Sequence, residues 1–379
     1  MMARLEEICA INMGQSPDSS TYNEDGNGLP FFQGNADFGE IYPAVRMWCS
    51  EPTKIAREKD ILISVRAPIG ALNIANCECC IGRGLAALTV NEDICAQEYL
   101  WHALSGKVDE LNSKGTGSTF KAINKKTLSE TEIPLPPIDE QRKIAAILDK
   151  VSDLIAKRQQ QLDKLDEMIK ARFMEIFGDS ETNTKNWRVL PMSKICSVGS
   201  SKRIYQSEQS SSGVPFWRIS DLTSLITTGT VTPELYIPEE RYKELKTQGQ
   251  VPAPGDILIT SRGTLGQCYI VKVNDRFYFQ DGMISWLSGY MDGVTPLYIS
   301  YLFTMPVFRK QIDSMQAGST VAYLSITMIK KLKVMLPDIE SQQQFASFVS
   351  KTEKTKTTIS RSLEKLETLK KALMQEYFG

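Results

Sequence analysis

The second half of this chain repeats the first, and that repetition constrains the fold more than any single motif. Residues 114–178 align with 315–379 at a constant offset of 201, without a gap, and 17 of the 65 positions are identical. GSTFKAI (Gly117–Ile123) lies over GSTVAYL (Gly318–Leu324), IPLPPIDEQ (Ile133–Gln141) over VMLPDIESQ (Val334–Gln342), and KARFMEIFG (Lys170–Gly178) over KALMQEYFG (Lys371–Gly379). Weaker echoes lie upstream: LPFF (Leu29–Phe32) with VPFW (Val214–Trp217), and KDILISVRAPIG (Lys59–Gly70) with GDILITSRGTLG (Gly255–Gly266). A period of half the chain means a duplicated module, not a solenoid. Two similar, non-identical modules suit a ligand with two similar, non-identical halves.

Each copy has the same grammar: a strand-rich stretch, a proline signal, then one long helix. Short apolar runs such as Asp60–Val65, Leu85–Val90, Asp256–Thr260 and Gln267–Val273 are bounded by Gly, Pro, Asn and Ser and read as strands. Short helices are expected at Ala96–Leu104 and Pro296–Phe303. Pro134, Pro136 and Pro137 suit the approach to a helix rather than its interior, and Asp139 and Glu140 suit its positive N-terminal end. Positions at alternating spacings of four and three then run through Ile144, Leu148, Val151, Ile155, Leu162, Leu165, Ile169 and Ile176, and only Arg158 and Arg172 break the apolar seam. The second copy carries Phe345, Val349, Ile359, Leu363, Leu366 and Leu373 on its seam, with Thr352, Lys356 and Lys370 as polar intruders. Such heptad seams mark helices built to pair, and about 40 residues make a helix of roughly 60 Å. The expected class is α+β, with two β-rich α/β domains (1–137 and 179–337). Each is followed by a long helix (138–178 and 338–379), and the two helices pair as an antiparallel coiled coil in a pseudo-two-fold internal repeat that holds the domains at opposite ends of a rod.

Charge narrows the function less directly. The 379 residues carry a net −1. Residues 1–137 hold 12 basic against 18 acidic side chains, giving −6, whereas 179–337 hold 17 against 13, giving +4. A small autonomous DNA-binding domain is usually clearly basic, so a nucleic-acid role needs a partner that supplies positive surface. No apolar stretch approaches a membrane span, and Glu6 and Glu7 stand where a signal peptide would be apolar, so no membrane and a cytoplasmic setting are expected.

IPLPPIDEQRKIAAILDKVSDLI, following GTGSTFKAI and echoed in the second copy, resembles the specificity subunit of type I restriction-modification systems. The DIL-x-S/T-x-R segments and LPFFQGNADF/VPFWRISDLT also resemble parts of its target-recognition domains, while LPDIESQ departs from the pattern by replacing a proline and a glutamate. The resemblance covers essentially the whole chain. It implies a subunit that performs no chemistry. It would bind a bipartite, asymmetric DNA target, one half-site per domain, with the paired helices as a ruler. Removing one heptad from both helices would then shorten the ruler by roughly 10 Å, about three base pairs at 3.4 Å each. It also implies two modification subunits that methylate adenine from S-adenosylmethionine, and two restriction subunits that use ATP and Mg. No cofactor or metal is expected in this chain.

Against that background, Lys114, Thr116, Ser118, Thr119 and Lys121 in KGTGSTFK suit phosphate oxygens. The second copy offers Gln316, Ser319, Thr320 and Tyr323. A turn that caps the next element is the alternative, and the two roles are compatible. Arg66 and Arg262 follow matching strands and suit guanine, with an ion pair to a neighbouring carboxylate as the rival reading. Lys202, Arg203 and Arg218 are further candidates, against ordinary solvated surface.

Enzyme motifs are missing where they would matter. The Pro136–Pro137 pair has neither the Asn/Asp before it nor the aromatic after it that an adenine methyltransferase needs, and no GxxxxGK[ST] occurs. One histidine, His102, leaves little room for a His-dependent triad. Cys77, Cys79 and Cys80 lack zinc-ribbon spacing and have no counterpart in the second half, so reduced thiols are expected. Three rivals remain: a nuclease fused to a recognition module, a coiled-coil adaptor that binds only proteins, and the specificity chain of a system whose modification and cleavage activities share one partner.

Overall fold

The computed structural model describes residues 1–117, 121–179, 181–316 and 322–379. The chain divides into two compact units, Met1–Gln161 with Ile359–Gly379, and Leu162–Thr358. The division runs through both long helices, Ile138–Phe177 and Ile339–Phe378, each of 40 residues. Each unit thus combines one β-rich domain with the beginning or end of both helices.

In the first unit the main sheet is antiparallel, in the order Cys9–Met13, Leu85–Val90, Ile61–Ser64, Leu72–Ile74. All four residues of Ile61–Ser64 are buried, because both faces of the sheet are covered. Ile61, Ile63 and Leu88 pack with Tyr99, Leu100, Ile144 and Leu148, whereas Leu62, Leu85 and Ala87 pack with Phe32 and Ile81 of a second sheet. In that second sheet Leu29–Phe32 and Cys79–Ile81 run parallel. A short clasp pairs Met2–Arg4 with Glu132–Pro134 and brings the domain's two ends together at the start of the long helix.

The second unit repeats this plan. Its antiparallel sheet runs Ser197–Gly199, Ile284–Ser288, Ile257–Thr260, Cys268–Ile270. Val214–Trp217 and Tyr278–Phe279 form the parallel pair, and Arg188–Pro191 clasps Lys333–Leu336. The expected short helices occur at Gln97–Gly106 and Pro296–Leu302.

A buried glutamine braces each long helix to its domain. Gln141 accepts the Ala96 N–H at 2.9 Å and donates to the carbonyls of Ile94 (3.1 Å) and Pro136 (2.8 Å). Gln342 accepts the Thr295 N–H at 2.8 Å and donates to the carbonyls of Gly293 (2.8 Å) and Pro337 (3.0 Å). Each of these bonds ties the helix start to a neighbouring segment and contributes about 0.5–1.5 kcal/mol. The helix starts differ in one respect. Asp338 accepts the Ser341 N–H at 2.7 Å as an N-cap, where the first copy has Pro137.

Inside each unit the segments of the two long helices pack together. In the second unit Asp166 meets Lys356 at 2.7 Å, Arg172 lies over the Phe348 ring, and Phe173 and Phe177 meet Phe345 at 5.3 and 5.4 Å, so the partner number falls as the chain number rises. That order is antiparallel. Ile169, Phe345 and Val349 are buried there, with Leu162 and Leu165 half-buried. In the first unit Ile144, Leu148 and Val151 are buried, and Ile155, Ile359, Leu363, Leu366 and Leu373 are half-buried. Apolar residues off the seam, such as Ile147 and Leu369, are exposed. No helix among the described residues is long and apolar enough to cross a membrane.

Candidate nucleic-acid interface

In the first unit, tertiary hydrogen bonds gather sequence features that lie far apart. Arg66 leaves the strand Ile61–Ser64 into a turn, where Ser64 Oγ donates to the Arg66 carbonyl at 2.7 Å. The Val65 N–H donates to Gly84 at 2.9 Å, the Ile123 N–H to Val65 at 2.9 Å, and the Ala67 N–H to Lys121 at 3.1 Å. Thr116 and Ala122 exchange backbone hydrogen bonds of 3.0 and 2.9 Å, closing the KGTGSTFK loop at its base. Arg66 is thereby held between that loop and the turn at 82–84. The side chain is exposed, and it lines a cleft of about 200 Å³ with Gln33, Asn35, Ser64 and Arg83.

Arg83 reaches this cleft because glycines flank it. A Cβ at Gly82 would come within 2.9 Å of the Gln33 Cα, and one at Gly84 within 2.6 Å of the Gln33 carbonyl oxygen. Only glycine lets the turn press that closely against the end of the strand Leu29–Phe32. Gln33 is oriented in turn by Ser16, with contacts of 2.9 and 3.2 Å, and Asp37 accepts the Gln33 N–H at 2.9 Å.

The second unit repeats the frame with different side chains. The Leu324 N–H donates to Ser261 at 3.0 Å, the counterpart of the Ile123–Val65 bond, and the Ser261 N–H donates to Met283 at 2.9 Å. Arg262 stacks over the Tyr323 ring at 5.3 Å, and Tyr323 Oη donates to the Gly282 carbonyl at 3.1 Å. Next to Gly282, Asp281 holds Arg203 at 2.8 Å. Ser200 Oγ approaches the Gly282 N–H at 3.3 Å. Lys202 donates through its backbone N–H to Tyr278 Oη at 2.9 Å. The turn at 281–283 therefore holds Arg203 and Tyr323 directly and Arg262 through the Tyr323 ring. Arg218 instead pairs with Glu234 at 2.8 Å and Asp221 at 3.4 Å.

Of the remaining candidates, Lys114 is paired with Glu110 at 2.6 Å and holds that carboxyl below its usual range, while Lys121 is exposed. Ser118, Thr119, Ser319 and Thr320 lie outside the described residues. The ion pair weighed as the rival reading for Arg66 and Arg262 does not occur among the described residues; Arg262 has an aromatic ring instead. Gln33, Asn35 and Arg83 were not singled out from the sequence, although the Gly-Arg-Gly triplet between two strands was a usable signal.

Elsewhere the ionisable groups serve structure. Nε2 of buried His102 meets Asp149 Oδ1 at 2.7 Å, joining the helix Gln97–Gly106 to the first long helix. Cys79 and Cys80 are buried and Cys77 half-buried, and burial pushes the Cys79 thiol up to about 12. No group of three or more potential metal ligands occurs among the described residues.

Comparisons with known proteins agree with this duplicated architecture. The family described as type I restriction modification DNA specificity domain matches twice, over residues 1–167 and 184–368. A putative type I restriction enzyme MjaX specificity subunit from Methanocaldococcus jannaschii is 43% identical over 180 residues, covering 48% of this chain and 42% of that relative. The match thus spans less than half the relative's length. The Escherichia coli type I restriction enzyme EcoBI specificity subunit is 19% identical, covering 99% of this chain and 84% of its own. A crystal structure of a type I restriction-modification S subunit from M. genitalium shares the fold at a TM-score of 0.61 and 14% identity, covering 100% and 96% of the two chains. With one family match in each half and the same strand order in both units, this chain belongs to the type I restriction-modification DNA specificity family.

Proposed function

We propose that this chain selects the DNA sequence on which a type I restriction-modification complex acts, one half-site being read by each unit. The observation that carries this reading is the duplicated frame. In both units an arginine beyond a buried central strand is set beside the residue that follows the GST-containing loop, Ala122 in the first and Tyr323 in the second. Half-site spacing in bipartite readers follows from the separation of the reading modules. Two modules with different side chains on one frame call for an asymmetric target. Loop amides, hydroxyls and Lys121 would hold phosphates and set the register, while arginines and carboxamides address base edges.

On this reading the chain performs no catalysis. It would dock two modification subunits, which bring S-adenosylmethionine, and two restriction subunits, which bring ATP and Mg. Encirclement by those partners would supply the phosphate contacts that a chain of net charge −1 lacks. The test is adenine-methylation mapping of DNA from cells that express this chain with its modification partner, against a deletion strain. A gapped, asymmetric motif that vanishes on deletion is expected. Unchanged methylation with an active partner would leave the protein-binding adaptor as the better reading.

A further inference from the structure

We propose, resting on the reading of this chain as a DNA selector, that the cleft of the first unit takes the acceptor edge of a guanine, held by Arg66 and Arg83. The half-site read by that unit therefore contains a G·C pair. Three observations carry this. The first is electrostatic. Some guanidiniums of this chain are tied to carboxylates, Arg203 to Asp281, Arg218 to Glu234 and Arg276 to Glu239, while others, such as Arg57 and Arg188, stand exposed without one among the described residues. Among the described residues the side chains of Arg66 and Arg83 have no such partner, and no carboxylate lines their cleft. The nearby Asp37 carboxylate is taken by the backbone N–H groups of Gln33 and Gly34.

The second is chemical. A phosphate accepts hydrogen bonds and donates none, so a phosphate site needs donors alone. This cleft is also lined by Gln33 and Asn35, residues whose carboxamides both donate and accept. A mixed lining suits base edges, and paired donors on a guanidinium match guanine O6 and N7. The third is mechanical. At about 200 Å³ the cleft is smaller than an ordinary small-molecule pocket, and it suits the edge of a ligand rather than a whole one. Its walls are also positioned. Glycines on both sides of Arg83 fix the turn against Gln33, Ser16 orients the Gln33 amide, and the backbone on both sides of Arg66 is hydrogen-bonded.

The decisive experiment maps methylation motifs for the complex with its modification partner, comparing wild type with Arg66→Ala, Arg83→Ala and Arg83→Lys. Each alanine variant is expected to lose roughly 10- to 100-fold of the guanine preference at one position of one half-site. Preference in the other half-site should persist, which shows that the variant is folded, and Arg83→Lys should retain part of the guanine preference. A uniform drop in rate over an unaltered motif, with a shallower salt dependence, would make these arginines phosphate contacts and overturn the proposal. A second measurement leaves the protein intact. Replacing each guanine of the target in turn by 7-deazaguanine should weaken binding of the wild-type complex at least tenfold at one position of that half-site. No sensitive guanine there would also overturn the proposal. A wild-type complex with no sequence preference at all would instead sink the specificity reading itself.

Discussion

The two units share a backbone frame but differ in how they treat their cations. In the first, Arg66 and Arg83 stand over a cleft without carboxylates. In the second, Arg203 is braced by Asp281, Arg218 by Glu234 and Asp221, and Arg262 by the Tyr323 ring. The difference at these sites does not follow net charge, since Arg66 and Arg83 belong to the acidic stretch 1–137. Partner geometry, not composition, decides which cations are available to a ligand. The helix ends differ in a similar way. The second unit packs Phe173, Phe177, Tyr298 and Phe345 into an aromatic cluster with ring separations from 4.7 to 5.8 Å. The first has Tyr99 and Phe378 at 5.2 Å, with Met374 and Ile144 at the places of Phe173 and Phe345.

That contrast in packing gives the largest expected effect. Phe345→Ala should destabilise the protein by about 3–5 kcal/mol, because the rings around it cannot collapse into the space left. Ile144→Ala should fall nearer 2 kcal/mol, at the lower end of its class. Urea unfolding of both variants measures the difference, and equal losses would mean that the aromatic cluster adds nothing to its unit.

The glutamine braces should behave alike. Gln141→Ala and Gln342→Ala should each cost about 1–3 kcal/mol, since each leaves one backbone amide and two carbonyls without their partner. The backbone partners match, and Gln342 also accepts the Thr295 hydroxyl at 3.0 Å, so a loss at Gln141 clearly larger than that at Gln342 would break the comparison.

A smaller effect is expected at the braced cations. Asp281→Ala should weaken binding of one half-site by about 1 kcal/mol, roughly fivefold, because Arg203 loses its orientation. Discrimination in the other half-site should stay unchanged. Titrations with DNA altered in either half would expose any cross-effect.

The smallest effect concerns the caps, and it depends on pH. Hydrogen bonds from the Ser341 backbone and hydroxyl hold the Asp338 carboxyl below its ordinary range. A carboxyl lowered by folding stabilises fully above the unfolded value and loses that contribution as pH falls through the folded one. Asp338→Ala should therefore cost about 1 kcal/mol near neutrality and progressively less below the ordinary aspartate range. The first copy has Pro137 there, with nothing to titrate. A pH-independent loss on substituting Asp338 would show that its capping does not depend on charge.

Much of the fold was legible because its determinants are local. The 201-residue offset announced two copies, and the four-three spacing drew both seams. Prolines and acidic residues marked where the helices begin. The runs around Ile61–Ser64 and Ile257–Thr260 read as strands because both faces are covered, which leaves no polar alternation. The site was less legible. Arg66, Lys121 and Arg262 stood out singly, as residue types at suggestive positions. Gln33, Asn35 and Arg83 did not, although the glycines around Arg83 marked a close approach.

Sequence alone determined the duplication, the two long helices, the strand-rich domains and the family, because period, proline and burial pattern act over a few residues at a time. Tertiary structure decided which distant side chains meet. It set the end of one strand, a Gly-Arg-Gly turn and a loop base around Arg66, and gave Arg203 its aspartate and Arg262 its tyrosine. It also made the glutamine of each helix start a brace to three backbone groups. Those pairings rest on hydrogen bonds, ion pairs and a cation–ring contact between segments tens of residues apart in sequence, and such contacts leave no periodic trace along the chain.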